Sequence, residues 1–105
     1  GENSPSIKER KNLSQNGYLE ITLILNNSGK LNKPIISYKG IPENSFDEKI
    51  IFEMEDEIFN TCRTFSMKNK SQEKNLIESV KQNCRKIIKE KTGKKPFTNI
   101  NIARL

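Results

Sequence analysis

From Tyr18 to Leu25 the chain alternates. Leu19, Ile21, Leu23 and Leu25 fall on one side, and Tyr18, Glu20, Thr22 and Ile24 on the other. A period of two is that of a strand. One side is wholly apolar and the other half polar, which suits a sheet covered on one face. Asn26-Asn27-Ser28-Gly29 reads as a turn, because Asn and Gly accept the backbone angles a turn demands. Pro34 to Lys39 (PIISYK) is a second short strand, with Pro34 at its start, where its missing N–H costs least. A loop of several residues makes the two a wide hairpin.

The period then changes to that of a helix. Ser45 and Glu48 fit a capping box, and Asp47 and Glu48 favour the positive end of a helix dipole. The helix is expected to run to about Thr64, with Ile51, Met54 or Glu55, Ile58 and Cys62 on one face, flanked by Phe52 and Phe59. After a polar connection from Phe65 to Lys70, Asn69 or Ser71 is expected to cap a second helix reaching Thr92. Its stripe is Leu76, Ile77, Val80, Cys84, Ile87 and Ile88. Gly93 follows as the stop residue, with Lys89 and Lys91 in the last turn, and Pro96 prevents continuation. Phe97 to Leu105 alternates again: Thr98, Ile100 and Ile102 point one way, Phe97, Asn99, Asn101, Ala103 and Leu105 the other.

These elements predict an α+β fold, a single small ββααβ domain in which two helices pack on one face of a three-stranded mixed sheet. A helical hairpin between the second and third strands returns the chain to where it left the sheet, so the third strand runs parallel to the first. The order 2-1-3 places the most apolar strand in the centre. Residues 1–16 are polar and broken by Pro5. They read as a linker or an expression remnant, with one helical turn around Ile7 to Leu13; residues 17–105 form the domain.

The chain has 105 residues, enough for one modest core. It carries two cysteines, Cys62 and Cys84, and no histidine. Ser-His-Asp and Cys-His pairs and histidine-based zinc sites are therefore unavailable. No catalytic and no metal-binding residue is assigned, and no cofactor. The cysteines sit on apolar helix faces and read as core residues, with an inter-helix disulfide as the lesser alternative. No stretch approaches the ~18 apolar residues of a membrane span. With two thiols suited to a reducing compartment, the expectation is a cytoplasmic protein without a membrane partner.

The formal net charge of +6 changes the picture, because it is unevenly placed. The first helix carries Asp47, Glu48, Glu53, Glu55, Asp56 and Glu57 against Lys49. The second helix and its exit carry Lys81, Arg85, Lys86, Lys89, Lys91, Lys94 and Lys95 against Glu90. Three readings follow. The helices complement one another; or Lys81, Arg85, Lys89, Lys94 and Lys95 form a face for RNA phosphates; or acidic and basic faces join two copies of the chain. Of the 19 basic residues 15 are lysine, the poorer residue for bidentate recognition, and no aromatic platform accompanies them. The other side of the sheet, with Tyr18, Ile24, Phe97 and Leu105, is an alternative assembly surface.

Three stretches and the helix pair between them give the chain a resemblance. "IKERKNLSQNGYLEITLILNNSGKL" is similar to the basic lead-in, the glycine before an apolar strand and the turn of the C-terminal domain of ribonuclease J, a bacterial enzyme of the metallo-β-lactamase, β-CASP class. "PIISYKGIPE" resembles that family's second strand and following Gly-x-Pro in its α-proteobacterial branch. "KEKTGKKPFTNINIARL" resembles its closing Gly, basic pair, Pro and strand. The family-like structural residues are Gly17, Gly29, Gly40, Pro42, Gly93 and Pro96. The resemblance implies a three-stranded sheet on two helices, and a parent enzyme that cuts RNA as endonuclease and as 5′-to-3′ exonuclease with two divalent metals, zinc expected, held in upstream domains. For this region it implies assembly, as homodimer or tetramer, and support of the parent's catalytic domains. A stand-alone basic RNA-binding module is the second reading.

Overall fold

A computed structural model describes residues 6–8, 10, 16–41, 48–65 and 70–105. Strands β1 (Tyr18–Leu25) and β2 (Ile35–Lys39) are followed by helices α1 (Glu48–Cys62) and α2 (Glu73–Thr92) and by strand β3 (Phe97–Arg104). The sheet order is β2-β1-β3. β1 pairs antiparallel with β2, Leu19 opposite Tyr38 and Ile21 opposite Ile36. It pairs parallel with β3, Tyr18 opposite Phe97 through Leu25 opposite Arg104. A parallel partner needs a long crossover, and the helical hairpin supplies it. The fold is α+β, with ββααβ order, as the periodicity predicts.

The alternation of β1 becomes a strict in–out burial. Leu19, Ile21, Leu23 and Leu25 are fully buried. Against them pack Met54 and Ile58 of α1, Leu76, Val80, Cys84 and Ile88 of α2, and Ile100 of β3. Each such aliphatic side chain contributes about 1.5–3 kcal/mol on burial. Ile36 and Tyr38 complete the layer from β2. Among the described residues no buried side-chain nitrogen or oxygen lacks a partner. One polar contact between the helices is such a pairing: Asn83 of α2 donates to Thr61 Oγ1 of α1 at 3.0 Å.

Four local expectations are corrected. In α1 the inward residue of the first turn is Ile50, not Ile51; Ile51 is half-buried beside the core. Counting back from Met54 and Ile58 in steps of four gives Ile50, so these three share one row. Phe52 does not flank the core but stands 70% exposed. In α2 the cap is not Ser71. The chain winds through a 3₁₀ turn (Lys70–Gln72) that contains Ser71, and Gln72 sits at the N-cap position without a side-chain capping bond. Such a turn takes up the first amides by tighter winding. The second strand also begins at Ile35, one residue after Pro34. Ser45, Pro42 and Asn69 lie outside the described residues, and with them the expected capping box. Near the start of the chain the Arg10 N–H donates to the Ser6 carbonyl at 2.9 Å, part of a helical turn whose Ile7 is exposed.

Gly93 ends α2 as expected, at φ 74°, its N–H donating to the Lys89 carbonyl at 2.9 Å. Pro96 is fully buried and delivers the chain into β3. At the other turn, Asn26 Oδ1 accepts from the Ser28 N–H at 3.0 Å and the Lys30 N–H at 2.9 Å, which closes the loop after β1. Gly17, Gly29 and Gly40 also have positive φ.

Candidate interaction surfaces

Both helices cover one face of the sheet. The opposite face collects the side chains that alternate with the core: Tyr18, Glu20, Thr22 and Ile24 from β1, Phe97, Asn99, Asn101 and Ala103 from β3, and Ile35, Ser37 and Lys39 from β2. Parallel register sets Tyr18 beside Phe97, and their rings stack with centroids 5.8 Å apart and planes 15° from parallel. At the far end of β1 lie Ile24, Ala103 and the 76%-exposed Leu105, whose N–H donates to the Leu25 carbonyl at 2.9 Å. Ile35, opposite Thr22 on β2, is 55% exposed and adds to this apolar end. The four residues assigned to this surface from the sequence are thus brought to one face, in two apolar clusters. Ile35 was missed. The signal lay in its own strand: once Ile36 and Tyr38 point inward, Ile35 must point outward.

Between the clusters lies a polar network. The Asn99 amide donates to both oxygens of Glu20, at 3.1 and 3.2 Å, and the Asn101 amide and the Tyr18 hydroxyl donate to the same carboxylate. The Glu20 charge is therefore met by three donors within the face. The bond to Glu20 holds the Tyr18 phenol above its ordinary value, with burial and the Glu20 charge adding to the effect.

The basic residues fall elsewhere. Lys81, Arg85 and Lys89 are four apart on α2 and share a row; Lys81 is half-buried, Arg85 and Lys89 exposed. Lys94 and Lys95 follow Gly93, the Lys94 N–H donating to Thr92 Oγ1 at 3.0 Å and the Lys95 N–H to Asn16 Oδ1 at 3.1 Å. These amides anchor the α2–β3 junction, and the lysine pair is part of it. Of the complementary charge between the helices, the ion pair Lys91–Glu53 spans α2 and α1 at 3.6 Å. Both partners are partly exposed, so it contributes well under ~1 kcal/mol.

The thiols are free and buried. Burial pushes Cys62 up to about 11 and Cys84 up to about 12, the latter aided by the charges of Glu57 and Cys62. A thiol held neutral is a poor nucleophile. Beside Cys62 an apolar hollow of about 330 Å³ opens between the β1–β2 turn and the end of α1, lined by Gly29, Leu31 and Phe59 among others. Among the described residues no three Cys, Asp or Glu side chains gather as metal ligands, and no helix is long and apolar enough to cross a membrane.

The geometry is that of a small α+β module in which, among the described residues, nothing covers one face of the sheet. The sequence pattern of the ribonuclease J C-terminal domain matches residues 5–105, and the chain belongs to that family. No curated protein matches the chain.

Proposed function

We propose that this domain is an assembly module of a bacterial ribonuclease J, and that a second copy of the chain covers the open sheet face. The observation that carries this is the pair of apolar clusters, Tyr18 with Phe97 and Ile24 with Ile35 and Leu105, at opposite ends of a face that the helices leave uncovered. An apolar patch of this kind marks an interface. A two-fold axis lying across the strands would set the first cluster of one copy over the second cluster of its partner, and the reverse, as an isologous contact requires. Three donors already meet the Glu20 carboxylate, so covering it costs less than covering a bare charge.

In this reading the chain holds and supports the catalytic domains of the parent enzyme in the cytoplasm, as dimer or tetramer, while metal-dependent hydrolysis of RNA in RNA processing and decay belongs to the upstream β-CASP region. No step of that chemistry is assigned to the residues of this domain. Light scattering across salt concentrations tests the proposal. An apolar contact gives a dimer that persists or tightens as salt rises. A monomer at all salt concentrations overturns it.

A further inference from the structure

β3 is an edge strand, and what surrounds its free edge is one-sided in charge. The Phe97 N–H donates to the Gly17 carbonyl at 3.0 Å, and the Leu105 N–H to Leu25. Odd-numbered residues of β3 therefore turn their backbone groups towards β1. By the alternation of a parallel ladder, Thr98, Ile100 and Ile102 turn theirs outward. Among the described residues no strand pairs with that side. A row of outward N–H and C=O groups is a template for one more strand.

α2 lies along β3, with Arg104 near the end of the strand donating to Glu73 at the start of the helix. The side of α2 that faces α1 is marked by Asn83, which donates to Thr61. Lys74, Lys81 and Arg85 lie roughly half a turn round from Asn83, at 3.6 residues per turn. α1 sits over the β2 side, where Lys33, just before β2, pairs with Glu55 at 3.7 Å. The flank of α2 away from α1 therefore overhangs the free edge of β3, and it is basic. Lys94 and Lys95 stand where β3 begins. The nearby acids are fewer: Glu73 is bonded to Arg104, and Glu78, between Lys74 and Lys81 on the same flank, accepts from Gln82 at 3.2 Å.

We propose that the outer edge of β3, together with Lys74, Lys81 and Arg85 above it, receives an extended acidic segment of a partner protein as a fourth strand. Main-chain bonds to Ile100 and Ile102 supply the pairing, and acidic side chains on the helix-side face reach the overhanging cations. Charge selects this occupant. A second copy pairing edge to edge would bring two basic flanks together. A phosphodiester chain would meet the cations but lacks the regularly spaced backbone amides that pair with a row of outward carbonyls. The site is the edge of the sheet, so it is independent of the assembly face.

The test uses the 15N-labelled 105-residue chain and a synthetic peptide of four Thr-Glu repeats, blocked at both ends, at low salt. Saturating peptide is expected to slow amide exchange at Ile100 and Ile102 by about tenfold or more. The Lys81→Glu, Arg85→Glu double variant, with its fold checked by circular dichroism, is expected to weaken binding by about tenfold or more. Of two probes methylated on the Thr or on the Glu backbone nitrogens, one should lose binding. The proposal is overturned by an absence of binding, which would leave the cations as guards against edge-to-edge association. It is also overturned if both methylated probes bind like the parent peptide, or if oligouridylate protects these amides and the peptide does not.

Discussion

Two glycines with nearly equal backbone angles do different work. Gly17 has φ 86° and Gly93 φ 74°, so a side chain is strained at either. A Cβ at Gly17 would also lie 2.6 Å from Ile41 Cγ1 and 2.7 Å from the Lys39 carbonyl, whereas at Gly93 nothing lies within 4 Å. Gly93→Ala is expected to cost about 1 kcal/mol, the left-handed penalty alone. Gly17→Ala must in addition push β1 off the end of β2, and is expected to cost roughly 3 kcal/mol. Urea titration of the two variants checks the order; equal losses would show that the end of β2 yields. The sequence placed both glycines at element ends. Only the fold shows that one of them has another strand against it.

The cysteines make a second prediction at this scale. Both are neutral, in folded and unfolded chains alike, below the ordinary thiol value of 9.0. Above it the unfolded chain loses protons that the folded one keeps, up to about 11 at Cys62 and about 12 at Cys84. Stability should therefore be indifferent to these groups at neutral pH and fall as pH rises from about 9 towards 12. Cys84→Val, which removes the more buried thiol, should flatten that fall. Thermal midpoints measured from pH 7 to 11 decide it, and an unchanged slope in the variant would assign the loss to other groups.

Among the elements, β3 carries the most consequence for its length. It lies alongside the whole of β1 and adds Ile100 to the core. Removing residues 98–105 would leave β1 unpaired along one edge and open the layer beneath α2. The truncated chain is expected to lose its cooperative thermal transition, and one that survives would show β3 to be dispensable. β3 was legible in the sequence, as were β1 and both helices, because period two and period 3.6 are written directly in which residues are apolar. The order β2-β1-β3 was not: periodicity marks a strand without naming its neighbours, and setting the most apolar strand in the centre only suggested the order that the sheet has. What was not legible depended on position against a neighbour. Ile50 and Ile51 are equivalent in composition, and only the row through Met54 and Ile58 chooses between them. The Glu20 network joins residues 79 and 81 positions apart, and no local pattern announces it.

At the scale of the whole molecule, acidic and basic faces and an apolar sheet face compete to explain self-association, and they differ in what disrupts them. Ile35 and Leu105 are largely exposed, so Ile35→Glu with Leu105→Glu should leave the thermal midpoint of the monomer nearly unchanged. If two copies meet through the sheet, the new carboxylates are buried against the partner's Tyr18–Phe97 end, and the dimer dissociation constant should rise by about tenfold or more. Arg85→Glu, on the flank of α2 and away from the open sheet face, should leave that constant unchanged. Contact between the acidic face of one copy and the basic face of another gives the opposite pair of results: sensitivity to Arg85→Glu and to salt, indifference to the sheet variants. Sedimentation of the three proteins at two salt concentrations separates the two geometries. A dimer that resists the sheet variants and yields to Arg85→Glu would move the interface from the sheet to α2.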